Sequence, residues 1–142
     1  MSLSLYIDSS ENTPVGTSLS DSYIIGHNRR TNHPVVKKVF VRNDSTSHWY
    51  SGVSIQCTST NISVEGNDGF GIKFYNGELE PTERQWNQLD YNYPAKFNNI
   101  GTSGSFDTSF DNFFWMRVEV ASTVDVARYD GNFLISFTEH SV

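Results

Sequence analysis

Hydrophobic and polar positions alternate with period two over much of the chain, most cleanly from Phe113 to Val142. Phe114, Met116, Val118 and Val120 fall on one face there, and Trp115, Arg117 and Glu119 on the other. After a loop closed by Asp130-Gly131, Phe133, Ile135 and Phe137 point one way while Ser136 and Thr138 point the other. A period of two marks a strand with one buried face, so these two stretches are expected to pair as part of an antiparallel sheet. The β-branched run Val35 to Asn43 predicts another strand. Alternation also predicts strands at Leu3 to Ile7, Trp49 to Thr58, Phe70 to Tyr75 and Ala95 to Ile100, with shorter ones at Tyr23 to Ile25 and around Ile62 and Val64. Asn43-Asp44-Ser45 and the stretch from Glu65 to Gly69 separate them with residues suited to turns.

One segment departs from this period. In Pro81 to Leu89, Thr82 and Gln85 have capping-box spacing, and Trp86 and Leu89 share a helical face. At most one short helical turn is expected, near residues 82–89. The chain has 142 residues, enough for one core, and shows no internal repeat or linker. Residues 1–142 are therefore expected to form a single domain. Its class is all-β: one antiparallel β-sandwich, immunoglobulin-like or alternatively a jelly roll, since alternation does not report which strands pair.

Charge and composition narrow the partners. A formal net charge of −6 argues against nucleic acid, whose phosphates call for a basic surface. No stretch approaches the roughly 18 apolar residues of a membrane span, so no membrane partner is expected. The first ten residues lack the basic start and apolar core of a signal peptide and read as a strand. Cys57 is the one cysteine and keeps phase with Val53 and Ile55, which predicts a buried small hydrophobe.

Candidate chemistry is sparse. Gly101-Thr102-Ser103-Gly104-Ser105 approaches Gly-x-Ser-x-Gly but has Ser where the motif needs its second Gly. His27 and His33 lie six apart in a turn-rich stretch, and His48 and His140 show no recognisable partners. The Asp- and Asn-rich loops at 67–69 and 107–112 lack EF-hand spacing. Asn43 and Asn61 each begin a glycosylation sequon. No catalytic residue, metal ligand or cofactor is assigned, and the chain is read as a non-enzyme. Aromatic residues at strand starts and in loops are the better candidates for binding a partner or a glycan: Trp49, Tyr50, Trp86 and Trp115, with Arg29 and Arg30 in the polar loop from His27 to Pro34. Trp115, Arg117 and Glu119 are expected on an outward face, so charge reversal at Glu119 should leave the fold intact.

Three blocks carry a family likeness. VVKKVFVRNDSTSHWYSGVSI, then PTERQW with a short strand ending at Asn99-Ile100-Gly101, then FFWMRVEV, resemble in order and spacing the immunoglobulin-like accessory proteins of tailed-bacteriophage particles. The likeness spans roughly residues 27–142, and departs after Val120, where Ala121-Ser122-Thr123 replaces a Pro-Gly turn. It implies a virion location and a decoration, cement or tail-associated role against major capsid or tail proteins, as a homo-oligomer or symmetric repeat. In that setting residues 1–10 are expected to act as a strand or arm that engages a neighbour by β-augmentation, and the domain without them should remain folded. The alternative is a carbohydrate-binding module that uses the exposed aromatics.

Overall fold

The computed structural model describes residues 3–6, 14–15, 35–58, 70–120 and 133–142; for residues 14, 15, 35, 70 and 120 it describes the backbone alone. The strands are β1 (Leu3–Tyr6), β2 (Pro14–Val15), β3 (Val35–Asn43), β4 (His48–Cys57), β5 (Phe70–Tyr75), β6 (Ala95–Ile100), β7 (Phe113–Val120) and β8 (Phe133–Ser141), with one helix, α1 (Glu83–Asn87), between β5 and β6. They form a five-stranded sheet in the order β2-β1-β3-β7-β5 and a three-stranded sheet in the order β6-β4-β8. All pairings are antiparallel. From β3 to β8 every connection passes from one sheet to the other. The fold is thus an all-β antiparallel sandwich, with a single short helix among the described residues.

The core lies between the sheets. The larger sheet contributes Leu3, Leu5, Val39, Val41, Ile72, Phe74, Phe114 and Met116, and the smaller one Tyr50, Val53, Ile55, Cys57, Ala95, Ile100 and Ile135. Val118, Phe133 and Phe137 pack against this cluster from its margins. Cys57 is buried, in line with its phase.

Two expectations about strand pairing need correction. β7 and β8 do not pair with each other: β7 lies between β3 and β5, and β8 pairs with β4 in the opposite sheet. Nor is the N-terminal strand a free arm. β1 pairs with β3 from Leu3 to Tyr6 and with β2 at Leu5 and Tyr6, and Leu3 and Leu5 are buried in the core. Its apolar face is committed to its own core and β2 takes its outer edge at Leu5 and Tyr6, which among the described residues leaves only Leu3 and Ser4 unpaired on that side, too short a stretch for a continuous augmenting edge. The predicted strands at Tyr23–Ile25 and Ile62–Val64, the turn at Asp130-Gly131, His27, His33, the sequon at Asn61, the loop at 67–69, and Arg29 and Arg30 lie outside the described residues.

A β-bulge in β4 decides which aromatic side chain is buried. The register against β8 shifts between Ser51 and Ser54, and Gly52 sits there at φ 58°, in the left-handed region that only glycine enters at no steric cost. Unbroken alternation back from Val53 would bury Trp49 and expose Tyr50. The extra residue reverses that phase, leaving Tyr50 fully buried and Trp49 half-buried on the outer face.

Candidate interaction surface

The outer face of the larger sheet divides into a covered half and an aromatic half. Cross-strand register places Lys73 opposite Arg117, and Tyr75 opposite Trp115. It also places Lys38 opposite Trp115, Phe40 opposite Phe113, and Tyr6 opposite Phe40. All of these side chains point away from the core.

Residues 76–94 cover the first half. The capping box holds α1: the Thr82 hydroxyl accepts from the Gln85 amide at 3.3 Å, and the Gln85 side chain accepts from the Thr82 amide at 2.9 Å. The helix lays Trp86, 2% exposed, over the sheet. Arg117 donates two hydrogen bonds to Glu83, at 3.0 and 2.9 Å, and lies 2.9 Å from Glu119. The Lys73 ammonium donates to the Trp86 carbonyl at 3.0 Å and sits 4.5 Å from the centre of the Tyr91 ring. Tyr91 fits because residue 71 is glycine: a Cβ there would stand 2.5 Å from its ring. Lys73 and Arg117 are a like-charged cross-strand pair, which disfavours the sheet. Glu83, Glu119 and the two rings offset that repulsion. The Arg117 hydrogen bonds hold the Glu83 carboxyl below its ordinary value of 4.5.

This layer overturns part of the outward-facing assignment. Arg117 is only 5% exposed, and Trp86 cannot serve as a surface platform because it fills a second, smaller apolar layer. Tyr50 is also excluded as a surface residue: it is buried in the main core, with its hydroxyl donating to Glu139 at 3.0 Å.

The second half is a chain of aromatic rings in edge-to-face and tilted contact. Tyr6 meets Phe110 at 5.8 Å, Phe110 meets Phe40 at 5.7 Å, Phe40 meets Phe113 at 5.9 Å and Phe113 meets Trp115 at 6.5 Å between centroids. Such contacts add to area burial through the ring quadrupoles. The Lys38 ammonium lies 4.0, 5.2 and 5.6 Å from the centroids of Phe113, Phe40 and Trp115. Arg42 lies over Phe110 at 4.8 Å and donates to the Thr108 carbonyl at 2.9 Å, which fixes the loop that carries Phe110. Burial, then the neighbouring Asp44 carboxylate, raise the Tyr6 pKa above its usual 10.0, so its hydroxyl stays a donor. The Trp115 indole N–H donates to the Gly77 carbonyl at 3.1 Å. All five rings are half-buried. Of the described residues singled out in sequence, Trp115 alone belongs to this array.

Tyr6, Phe40, Phe110 and Phe113 were not anticipated. A signal was present in VVKKVFVRN: opposite the inward Val39 and Val41 lies a second face carrying Lys38, Phe40 and Arg42. Only register brings that face beside Phe113 and Trp115.

Trp49 occupies the outer face of the other sheet. Its ring stacks on His140 at 4.1 Å and 15°, and His140 Nε2 is 2.8 Å from the Ser51 hydroxyl. His48 also has partners that sequence did not disclose. Ser47 Oγ and Ser45 Oγ lie 2.9 and 3.1 Å from its Nδ1, and Glu139 lies 3.5 Å from its Nε2. Two hydroxyls share one nitrogen and the carboxylate stands beyond ordinary hydrogen-bond length, so the group ties the β3–β4 turn to the end of β8. Asn43 completes that turn. It is fully buried, donates to the His48 carbonyl at 2.9 Å and accepts from the Ser45 amide at 2.8 Å, which closes its sequon to a glycan. Gly101 to Ser105 forms a tight turn bridged between Thr102 and Ser105. Among the described residues, no group of three His, Cys, Asp or Glu side chains is placed to hold a metal ion.

No family model, curated protein or solved structure matches the chain.

Proposed function

We propose that the protein is a non-enzymatic structural subunit of a tailed-bacteriophage virion, a capsid decoration or cement protein or a tail-associated one. It attaches to larger structural proteins through the aromatic half of its five-stranded sheet. The observation that carries this reading is the ring chain from Tyr6 to Trp115, half-exposed and topped by the Lys38 ammonium. Aromatic side chains and arginine are the residues enriched in binding hot spots, and here the rings are joined by Arg42 over Phe110. The ordered likeness of three sequence blocks to phage accessory proteins supplies the setting. A stiff sandwich suits it, because modest contacts repeated by symmetry hold firmly through avidity.

A carbohydrate-binding role is the second reading, favoured by the Trp49–His140 stack with Ser51, Asn99 and Thr138 in register beside it. Binding of purified protein to assembled shells and tails, alongside a glycan array, separates the two. Loss of particle binding in Phe113→Ala and Trp115→Ala, with Trp49→Ala unaffected, supports the structural role. Micromolar glycan binding abolished by Trp49→Ala, with no particle binding, refutes it.

A further inference from the structure

Beside the aromatic half stands an exposed knob of matching chemistry. Leu79 is 82% exposed, the most exposed of the described large hydrophobic residues, and is flanked by the exposed carboxylates of Glu78 and Glu80. An aliphatic side chain so placed gives up apolar burial within its own fold. Two residues earlier, the Gly77 carbonyl is bound by the Trp115 indole, which sets the loop that carries the knob beside the Trp115 end of the ring chain. The ring chain carries the complement: apolar surface with one ammonium, Lys38, which lies over three rings and has no carboxylate within ion-pair distance among the described residues.

We propose that this face is a self-association surface for a second copy of the chain. Leu79 of each copy seats on the Phe40, Phe113 and Trp115 rings of the other, with Glu78 and Glu80 facing Lys38. With the knob's loop tied to the Trp115 end of the ring chain, a two-fold axis makes both contacts at once and closes the assembly as a dimer. Docking desolvates the ammonium and the carboxylates together, so charge selects the register while the leucine and rings supply the affinity. Self-association and particle attachment draw on the same rings, so the dimer is the form of the free protein and separates where a subunit attaches.

Sedimentation equilibrium over a concentration series, with light scattering as a cross-check, tests this directly. Wild type should show a reversible monomer–dimer equilibrium. Leu79→Ser, at a site exposed in the monomer, removes two seated leucines per dimer and should weaken it by about 100- to 10,000-fold with unchanged thermal unfolding of the monomer. Lys38→Glu alone and Glu78→Lys/Glu80→Lys alone should each weaken it, while mixing the two variants should restore association as a heterodimer. A monomer at every concentration, association unchanged by Leu79→Ser, or no heterodimer on mixing overturns the proposal.

Discussion

Replacing Glu119 by Lys tests the covered half of the large sheet. Alternation alone places residue 119 on an open face, where reversal costs almost nothing. In the structure Glu119 is 18% exposed at its side chain and lies 2.9 Å from Arg117, whose cross-strand neighbour is Lys73. Reversal removes one of two carboxylates serving two buried cations and adds a third cation. Breaking a buried pair on one side costs about 3–5 kcal/mol. Partial exposure and the unsatisfied Arg117 Nε and Glu119 Oε2 place this site at the lower end, about 3 kcal/mol. For a domain of this size that lowers Tm by roughly 6–12 °C. The internal control is Glu83→Gln. Glu83 binds the same guanidinium but is 71% exposed at its side chain, so its loss should cost under about 1 kcal/mol. Urea unfolding followed by tryptophan fluorescence and thermal unfolding by calorimetry both measure the difference. Equal, negligible effects at 119 and 83 would refute the covered face and return Arg117 and Glu119 to solvent.

Other consequences follow from the same contacts. Deleting residues 1–10 removes two buried leucines, each worth about 2–5 kcal/mol on truncation to Ala; the shortened chain should lose cooperative unfolding by calorimetry, and a sharp native-like transition would contradict the role given to β1. Gly52→Ala should cost about 1–2 kcal/mol from backbone strain alone, because open space surrounds its Cβ, and Gly52→Asn should cost less; identical losses in urea melts would argue against a left-handed residue in the bulge. The Glu83 and Asp107 carboxyls are both held below their ordinary values, chiefly by hydrogen bonds from Arg117 and Ser109. Their stabilisation is complete above those ordinary values and is lost as pH falls through the lowered ones. Stability should therefore fall on acidification below about pH 4.5, and Glu83→Gln should flatten that fall in an acid titration of Tm.

Much of the sandwich was legible in the sequence because one face of each strand is apolar. Val39 and Val41, Ile72 and Phe74, and Phe114 and Met116 announce their burial by alternation, and Thr82 with Gln85 announces the start of the helix. Three features were not legible, each for a physical reason. Alternation distinguishes two faces without saying that a second layer covers the polar one, so Arg117 and Trp86 were assigned to the surface. A single extra residue at Gly52 inverts phase, which exchanged the fates of Trp49 and Tyr50. Pairing is non-local, so β7 and β8, adjacent in sequence and alike in pattern, were expected together although they belong to opposite sheets. The ring chain is the same problem in functional form: its members come from β1, β3, a loop and β7, and no local pattern joins them.

The proposed virion role is tested most directly by stoichiometry in purified particles. On that proposal, quantitative mass spectrometry of intact phage particles should find the chain in a fixed ratio to the major capsid or tail protein, persisting through density-gradient purification. The Phe113→Ala and Trp115→Ala variants should be depleted from those particles while remaining folded. Absence of the wild-type protein from gradient-purified particles, or a ratio that varies between preparations, would contradict the account.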